Sequence, residues 1–272
     1  MINNIRIGKK IMNLTTPKLM GIINVTPDSF YASSRKNDAV DILSTCEKMI
    51  TDGADILDLG AFSTRPNAIE VSEHDELQRI IPVIKLIRTE FPDIPLSCDT
   101  FRASIAKEAL REGVEIINDI SGFRFDEELY NILSNYPCTY ILMHSKGTIQ
   151  TMHQENKYQH LLPELNEYFS EKCELLRQIG RNDIILDPGF GFSKTIEQNY
   201  ELLQKINQLH LLNKPLLIGI SRKSMIYKKL LNSPEEALNG TTVLNTKAIL
   251  EKASFLRVHD IKEAKEVIQI LC

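Results

Sequence analysis

The sequence predicts an α/β fold, a single (β/α)8 TIM barrel that follows a short N-terminal β-hairpin. Apolar runs short enough for buried strands alternate with helical patterns about eight times, which is the strand count of this barrel. Each run ends in a residue able to bind a ligand, whereas a doubly wound sheet gathers such residues near one switch point. No linker rich in Pro, Gly or Ser separates the runs, so residues 1–272 are predicted to form one domain.

Composition and charge narrow the class of protein. A hydrophobic content of 43% with 25% charged residues is typical of a globular protein, and a net charge of −4 gives no support to nucleic-acid binding. The five Cys include no C-x-x-C pair, which fits a reducing compartment. Because no apolar run reaches the roughly 18 residues of a membrane span and the N-terminus lacks a signal-peptide core, we expect a cytoplasmic protein without membrane contact.

The predicted elements run in order from the hairpin to a closing helix. Ile5, Ile7 and Ile11 alternate with polar residues around Gly8, which is typical of a short hairpin. Eight buried-strand runs follow, at residues 19–23, 54–59, 94–98, 114–117, 139–143, 184–187, 215–220 and 254–258. Helical patterns lie between or after them, at 36–52, 72–91, up to about 112, 126–136, within 160–179, 195–210, 225–250 and up to 272.

Three short polar side chains end predicted strands: Asp99, Asn118 and Asp187. In a barrel they would point into the mouth and contact one flat ring rich in heteroatoms. A carboxylate accepts hydrogen bonds from a ring N–H and an exocyclic NH2 group, while Asn both donates and accepts. The alternative is that each residue caps the following helix, as Asp and Asn commonly do. Both interpretations stay open for each residue alone, and the three together favour a ring site.

Hydrogen-bond donors and cations end the other predicted strands: Thr64, Arg65, Lys223, Arg257 and His259. Converging cations with few acids nearby suit a phosphate or diphosphate. Asn24 offers an oxygen to a Mg2+ that also binds substrate phosphates, although its spacing alone is typical of a turn. Residues 221–224 open a helix whose free N–H groups favour an anion.

The loop after the strand at 184–187 has the sequence DPGFGFSKT. Its Gly and Lys positions match neither the P-loop nor the dinucleotide-binding fingerprint. Pro188 and the two Gly predict a sharp turn that approaches a ligand closely. Four aromatic residues in strand-end loops are candidates for ligand walls, or for a cover on the barrel: Phe30, Phe62, Phe190 and Phe192.

Short motifs at the strand ends follow one another in a characteristic order. They lie at residues 21–30 (GIINVTPDSF), 63–66, 99–100, 118–122, 143–144, 187–192, 221–224 and 257–260. Together they closely resemble the motifs of the dihydropteroate synthase family, and the resemblance spans roughly residues 19–268. The first motif and the DPGFGF loop are highly specific in combination.

The resemblance implies a TIM-barrel transferase of folate synthesis and a sulfonamide target. Such an enzyme joins 4-aminobenzoate to 6-hydroxymethyl-7,8-dihydropterin diphosphate by a dissociative substitution, uses Mg2+ and releases diphosphate. Mg2+ and cations stabilise the leaving group, and the neutral aryl amine then attacks, so no strong protein base is needed. A homodimer is expected from the family alone.

The resemblance also assigns residues. The pterin diphosphate site would comprise Thr64, Asp99, Asn118, Asp187, Lys223, Arg257 and His259. The 4-aminobenzoate site would comprise Phe30, Thr64, Arg65, Pro66, Phe192 and Ser224. Asn24 would bind Mg2+, and the catalytic residues would be Lys223, Arg257 and His259.

Three positions depart from the family pattern. Phe62 replaces the usual Glu, Asn67 the usual Gly and Ile149 the usual Pro, so loop closure and 4-aminobenzoate affinity are the properties they affect. Two alternatives stay open. One is a methyltetrahydrofolate-dependent methyltransferase, which has no use for a diphosphate pocket; the other is a non-catalytic pterin-binding protein that lost turnover through the altered second loop.

Overall fold

The chain begins with a two-stranded antiparallel hairpin, β1 (Asn4–Ile7) and β2 (Lys10–Asn13). The computed structural model describes residues 2–25, 35–62, 71–152, 154 and 156–272, with the side chains of 35–38 excepted. Gly8 makes the turn with φ +57°, a conformation that favours glycine. Ile5 and Ile7 point to the same buried face, whereas Ile11 is 67% exposed.

Eight parallel strands follow the hairpin and confirm the predicted barrel. They are β3 (Lys18–Asn24), β4 (Ile56–Gly60), β5 (Leu96–Asp99), β6 (Ile116–Asp119), β7 (Thr139–Met143), β8 (Ile184–Asp187), β9 (Leu217–Ile218) and β10 (Phe255–Val258). The order of hydrogen-bonded neighbours is β8-β7-β6-β5-β4-β3-β10-β9. A parallel bridge between Leu186 and Leu216 brings the two outer strands together, so the sheet closes on itself.

Helices cover the outside of the barrel. They are α1 (Arg35–Thr51), α2 (Glu73–Glu90), α3 (Ala103–Arg111), α4 (Glu128–Asn135), α5 (Leu161–Gln178), α6 (Ile196–Gln204), α7 (Ser224–Leu230), α8 (Leu238–Leu250) and α9 (Ile261–Leu271). A 3-10 helix, Ile206–Leu212, follows α6. Thr195 and Gln198 form a capping box that fixes the start of α6. Among the helices of the described residues, none is both long and apolar enough to cross a membrane.

The structure refines two predicted segments. The helical segments predicted at 225–250 are α7 and α8, which are separated because Leu231 adopts a left-handed conformation and Pro234 disfavours helix at the preceding residue. The strand predicted at 215–220 is regular only at Leu217–Ile218. The carbonyl of Leu216 accepts hydrogen bonds from the backbone N–H groups of both Ser254 and Phe255, a two-to-one pairing that interrupts the ladder.

The hairpin closes the N-terminal end of the barrel. Ile5 and Ile7 pack against inward-facing strand residues, and these side chains form one buried apolar cluster, which we call the floor: Ile5, Ile7, Leu14, Met20, Ile56, Ile116, Ile141, Ile185, Leu217 and Phe255. The Thr139 hydroxyl also donates to the Arg6 carbonyl at 2.6 Å. Burial of each large side chain here contributes about 1.5–3 kcal/mol, so the hairpin belongs to the folded barrel.

Candidate active site

The site lies one side-chain layer above the floor. Successive residues of a strand point to opposite faces, so a residue two positions after a floor residue shares its inward direction. Four polar residues stand two positions after a floor residue: Asp58, Asn118, Asp187 and Arg257. The strands thus place charged and amide groups together at the carboxyl ends, where TIM barrels carry their active sites.

Arg257 connects two acidic side chains across the mouth. Its Nε donates to Asp58 Oδ2 at 2.6 Å, and its Nη2 donates to Asp99 Oδ2 at 2.7 Å. Asp58 is fully buried, and the side chains of Arg257 and Asp99 keep 19% and 24% of their exposure. Two carboxylates therefore fix the plane of one guanidinium.

Asp58 was not predicted from the sequence, and the expectation of few acids near the cations is wrong. Asn118 Nδ2 also donates to Asp58 Oδ2, at 3.1 Å. The other carboxylate oxygen, Oδ1, is buried and accepts no hydrogen bond from the residues that the structure describes. A ligand N–H or a water suits such an oxygen, because leaving it unpaired is costly.

The acidic surroundings change how Asp99 ionises. Burial raises the pKa of the Asp99 carboxyl to about 7; Arg257 opposes this shift, and the negative charge of Asp58 adds to it. Near neutral pH Asp99 therefore exchanges a proton readily, and it can either donate a hydrogen bond to a ligand or accept one.

Asp187 at the end of β8 and Lys223 at the start of α7 carry opposite charges that act on each other. Asp187 Oδ1 accepts from the Gly189 N–H at 2.8 Å, and burial raises the pKa of this carboxyl while Lys223 opposes the rise. Lys223 Nζ donates to the Phe190 carbonyl at 2.6 Å and lies 4.8 Å from the centre of the Phe192 ring. Burial lowers the pKa of Lys223 to about 8, with Asp187 opposing. Lys223 thus contacts the DPGFGF loop at the Phe190 carbonyl and at the Phe192 ring.

The helix-cap alternative for the three strand-end residues is wrong. The N-caps of α3, α4 and α6 are Arg102, Glu127 and Thr195. Asp99 and Asn118 instead bond to the network of Arg257 and Asp58, and Asp187 holds its own loop. These side chains are therefore available to a ligand at the mouth.

A further sector of the mouth lies at the ends of β3, β9 and β10. His259 Nδ1 lies 3.0 Å from Ser221 Oγ, and Asn24 is exposed at the end of β3, the neighbour of β10. Arg222 binds Asp260 through Nε at 2.9 Å and Nη2 at 2.8 Å, which ties together the loops after β9 and β10. Ser224 begins α7 and is half-buried. The sector combines an imidazole, an amide and a hydroxyl, groups that suit an anion and its counter-ion.

Comparison with known proteins places this chain in a family. The sequence profile of the family described as pterin binding enzyme matches residues 20–259. A dihydropteroate synthase of Synechocystis sp. is 41% identical over 255 residues, which cover 93% of this chain and 88% of the relative. The chain belongs to the dihydropteroate synthase family.

Solved structures of that family share its fold. The Yersinia pestis dihydropteroate synthase with a sulfonamide drug complex has a TM-score of 0.91 at 35% identity, and the match covers 98% of this chain and 97% of that one. The Xanthomonas albilineans dihydropteroate synthase with 4-aminobenzoic acid has a TM-score of 0.89 at 30% identity, with 99% and 97% covered. Both chains match the barrel and the hairpin over nearly their full length.

Four residues that the dihydropteroate synthase resemblance assigns to the site are Phe30, Thr64, Arg65 and Pro66. They lie outside the described residues, as does Asn67. The structure brings together the other assigned residues of β5, β6, β8 and β10, and Lys223 beside them.

The aromatic residues of the DPGFGF loop divide between core and site. Phe190 is fully buried in the core between barrel and helices, so it is not a ligand wall. Phe192 belongs to a separate apolar cluster with Phe101, Ile120, Met143 and Met152. Phe192 is therefore the loop's candidate wall for an aromatic ligand.

Two of the departures from the family pattern pack against that cluster. Phe62 meets Phe101 edge to face, with ring centroids 5.5 Å apart, and Ile149 is partly buried against the same group. Each replaces a polar or helix-breaking residue by an apolar contact. Phe62 and Ile149 therefore both add to the apolar cluster that contains Phe192.

Proposed function

We propose that the chain forms 7,8-dihydropteroate from 6-hydroxymethyl-7,8-dihydropterin diphosphate and 4-aminobenzoate, with release of diphosphate. The observation that carries the proposal is the network of Asp58, Arg257, Asp99 and Asn118 in a member of the dihydropteroate synthase family, with the charges of Asp187 and Lys223 near enough to act on Arg257. This arrangement supplies acceptors for ring N–H and amino groups and a planar cation beside them.

The pterin ring fits between the two charged groups. Asp187 and Asp99 accept hydrogen bonds from the ring N–H and amino groups, and Asn118 offers a donor and an acceptor. The Arg257 guanidinium, held by Asp58 and Asp99, lies flat against the ring. Because each of these groups already has its place in the structure, little reorganisation is needed when the ring binds.

The diphosphate leaves before the amine attacks. Arg257, Lys223 and His259 provide the positive charge and donors for the departing anion, with Thr64 as the prediction from the resemblance. The charge that remains on the pterin methylene is spread over an electron-rich ring. The aryl amine of 4-aminobenzoate is neutral and attacks without a protein base, and the buried setting of the network keeps competing water away.

Mg2+ is the proposed metal. The described residues contain no cluster of three or more His, Cys, Asp or Glu side chains placed to hold an ion. A Mg2+ that keeps several waters and binds substrate phosphates needs only one or two protein oxygens, and the exposed amide of Asn24 fits that need. Bound there with the diphosphate, Mg2+ would neutralise the charge of the leaving group.

The 4-aminobenzoate site is proposed beside Phe192. The Phe192 ring, with Lys223 Nζ above it, would form one wall, and the half-buried start of α7 at Ser224 would offer N–H groups to the carboxylate. Phe30, Arg65 and Pro66 complete the site in the prediction. The solved relative of Xanthomonas albilineans, which carries 4-aminobenzoic acid, supports a slot of this kind.

A homodimer is proposed as well, and α7 with α8 offers a surface for it. Four large apolar side chains are exposed on or beside these helices: Leu230, Leu231, Val243 and Leu250. Val243 and Leu250 are seven residues apart on α8 and share one face, as a helix–helix contact requires. The single domain over residues 1–272 and the cytoplasmic location stay predictions from the sequence.

One assay distinguishes the proposed enzyme from the two alternatives. The purified protein is incubated with the pterin diphosphate, 4-aminobenzoate and Mg2+, and dihydropteroate and diphosphate are quantified. We expect both products in equal amounts. Pterin binding without product would favour the non-catalytic protein, and methyl transfer from methyltetrahydrofolate without diphosphate binding would favour the methyltransferase.

A further inference from the structure

Lys194 is a buried cation at the end of the DPGFGF loop. Its exposure is 7%, and among the described residues it is the one lysine or arginine that is almost completely buried. Neither the sequence motifs nor the proposed function assigns it a role. Burying an ammonium group costs free energy unless each of its N–H groups has an acceptor.

The ammonium group has one acceptor for each of its three N–H bonds. Nζ lies 3.2 Å from the Gly189 carbonyl oxygen, 3.2 Å from the Phe192 carbonyl oxygen and 3.3 Å from His144 Nδ1. His144 accepts through Nδ1 only when it is neutral and carries its proton on Nε2. Burial lowers the pKa of His144 well below its usual value, and the positive charge of Lys194 adds to this, so the imidazole is neutral, as the contact requires.

The two carbonyl groups belong to the two ends of the functional loop. The Gly189 N–H donates to Asp187 Oδ1 at 2.8 Å, so this end holds the proposed pterin carboxylate. The Phe192 ring, at the other end, lies beneath Lys223 and forms the proposed 4-aminobenzoate wall. Lys194 therefore bridges the backbone on both sides of the junction between the two substrate sites.

A gain in the stability of the fold does not by itself account for burying Lys194. Burial lowers the pKa of Lys194 to about 7, Asp187 opposes the shift, and Lys223 and Lys146 add to it. An ammonium group buried against uncharged acceptors recovers less of its desolvation cost than one paired with a carboxylate in contact. All three acceptors here are uncharged; without Lys194 the Gly189 carbonyl keeps the Phe192 N–H at 3.1 Å, and His144 Nδ1 loses its donor.

We propose that Lys194, with neutral His144 as its acceptor, is a positioning residue that sets the place of Phe192 relative to Asp187. It thereby sets the spacing between the aryl amine of 4-aminobenzoate and the pterin methylene. This inference rests on the proposed function, because it assumes that the two sites hold those two substrates.

Lys194→Met tests the role with a neutral side chain of similar length. We expect the KM for 4-aminobenzoate to rise by about tenfold or more and kcat to fall, since a displacement of about 1 Å costs up to about 100-fold in rate. The Kd for the pterin diphosphate, measured by calorimetry without 4-aminobenzoate, should change by less than about threefold, because Asp187 stays on its strand. The melting temperature should fall, because buried acceptors lose a donor, so the kinetics are measured at a temperature at which the variant is folded.

Lys205→Met is the matched control. Lys205 caps the C-terminal end of α6, the helix that follows the same loop, and forms a surface ion pair with Glu201 at 2.7 Å. Both kinetic constants should be those of the wild type, because an exposed pair of this kind contributes little.

Variants of His144 keep the test sharp if Lys194→Met folds poorly. His144→Asn places an amide oxygen where Nδ1 stands and should preserve the KM for 4-aminobenzoate, whereas His144→Leu removes the acceptor and should raise it. The proposal would be overturned by unchanged kcat and KM in Lys194→Met, or by an equal loss of affinity for both substrates. Equal effects of His144→Asn and His144→Leu on the KM for 4-aminobenzoate would also overturn it. A wild type without product would refute the proposed function instead, and the same variants would then be compared by the Kd of 4-aminobenzoate.

Discussion

The orientation of the Arg257 guanidinium depends on Asp58, whose side chain lies next to the floor rather than in the proposed substrate sites. We expect Asp58→Asn to weaken the use of the pterin diphosphate without unfolding the barrel. The asparagine keeps the shape and an oxygen for Arg257 Nε, but it removes the negative charge. The second contact of Arg257, to Asp99 at 2.7 Å, remains.

The size of the effect follows from the 2.6 Å contact between Arg257 Nε and Asp58 Oδ2. Hydrogen bonds to charged groups contribute about 1.5–3 kcal/mol, and a charge-assisted bond is about twice as strong as a neutral one. Loss of the charge on one partner therefore costs about half of this, about 0.8–1.5 kcal/mol. At about 1.4 kcal/mol for each factor of ten, kcat/KM for the pterin diphosphate should fall by about 4- to 12-fold.

Steady-state kinetics at saturating 4-aminobenzoate measure this fall, and Asp183→Asn is the control. Asp183 also binds an arginine through two contacts, to Arg6 Nε at 3.0 Å and Nη2 at 2.9 Å, but that pair is exposed at the hairpin. Its loss should leave kcat/KM unchanged. A value for Asp58→Asn within twofold of the wild type, or equal values for the two variants, would refute the role given to Asp58.

Three other expectations follow from the site. The raised pKa of Asp99 in the folded protein gives stability that is present below pH 3.8 and lost as the pH rises through about 7. In thermal melts of the ligand-free proteins, the melting temperature of Asp99→Asn should therefore rise relative to that of the wild type between pH 5 and 8. A difference in melting temperature that stays constant over this range would contradict the expectation. At Gly189, with φ +70°, a Cβ would overlap the His144 carbonyl oxygen. Gly180 is the control, because its φ is +75° but no atom lies within 4 Å of the added Cβ, so Gly180→Ala should cost only the backbone strain of about 1–2 kcal/mol. Urea denaturation should therefore show a larger loss of unfolding free energy for Gly189→Ala than for Gly180→Ala. Removal of Mg2+ by EDTA should stop diphosphate release, and Asn24→Ala should raise the Mg2+ concentration needed for half-maximal rate, unless the ion binds elsewhere.

The barrel and the strand-end residues were predictable from local pattern. The run at 139–143 has the bounds of β7, because a continuous apolar run with β-branched residues is typical of a strand buried on both faces. Asp99, Asn118 and Asp187 were found because each ends such a run. Strand ends of a parallel barrel must converge, so sequence position alone placed these groups at one mouth.

Asp58 and Lys194 were missed for reasons of tertiary structure. Asp58 stands inside the run at 54–59, and whether it points inward depends on strand register, which the floor residue Ile56 two positions earlier would have indicated. Lys194 lies at a polar helix start, where a lysine is usually exposed. Its burial comes from His144 on another strand, a contact that no local pattern contains.

The floor closes the N-terminal end of the barrel interior, which opens toward the mouth at the other end. Asp58 lies directly above Ile56, and Asp187 directly above Ile185, so the ionising groups meet hydrocarbon on one side and solvent or substrate on the other. The effective dielectric constant around these groups is therefore set in part by Ile5 and Ile7. These two residues belong to the hairpin, which contributes no side chain to the proposed active site. Changes in that hairpin that admit water from below would return the pKa of Asp99 toward its ordinary value, and they would alter catalysis without touching a substrate contact.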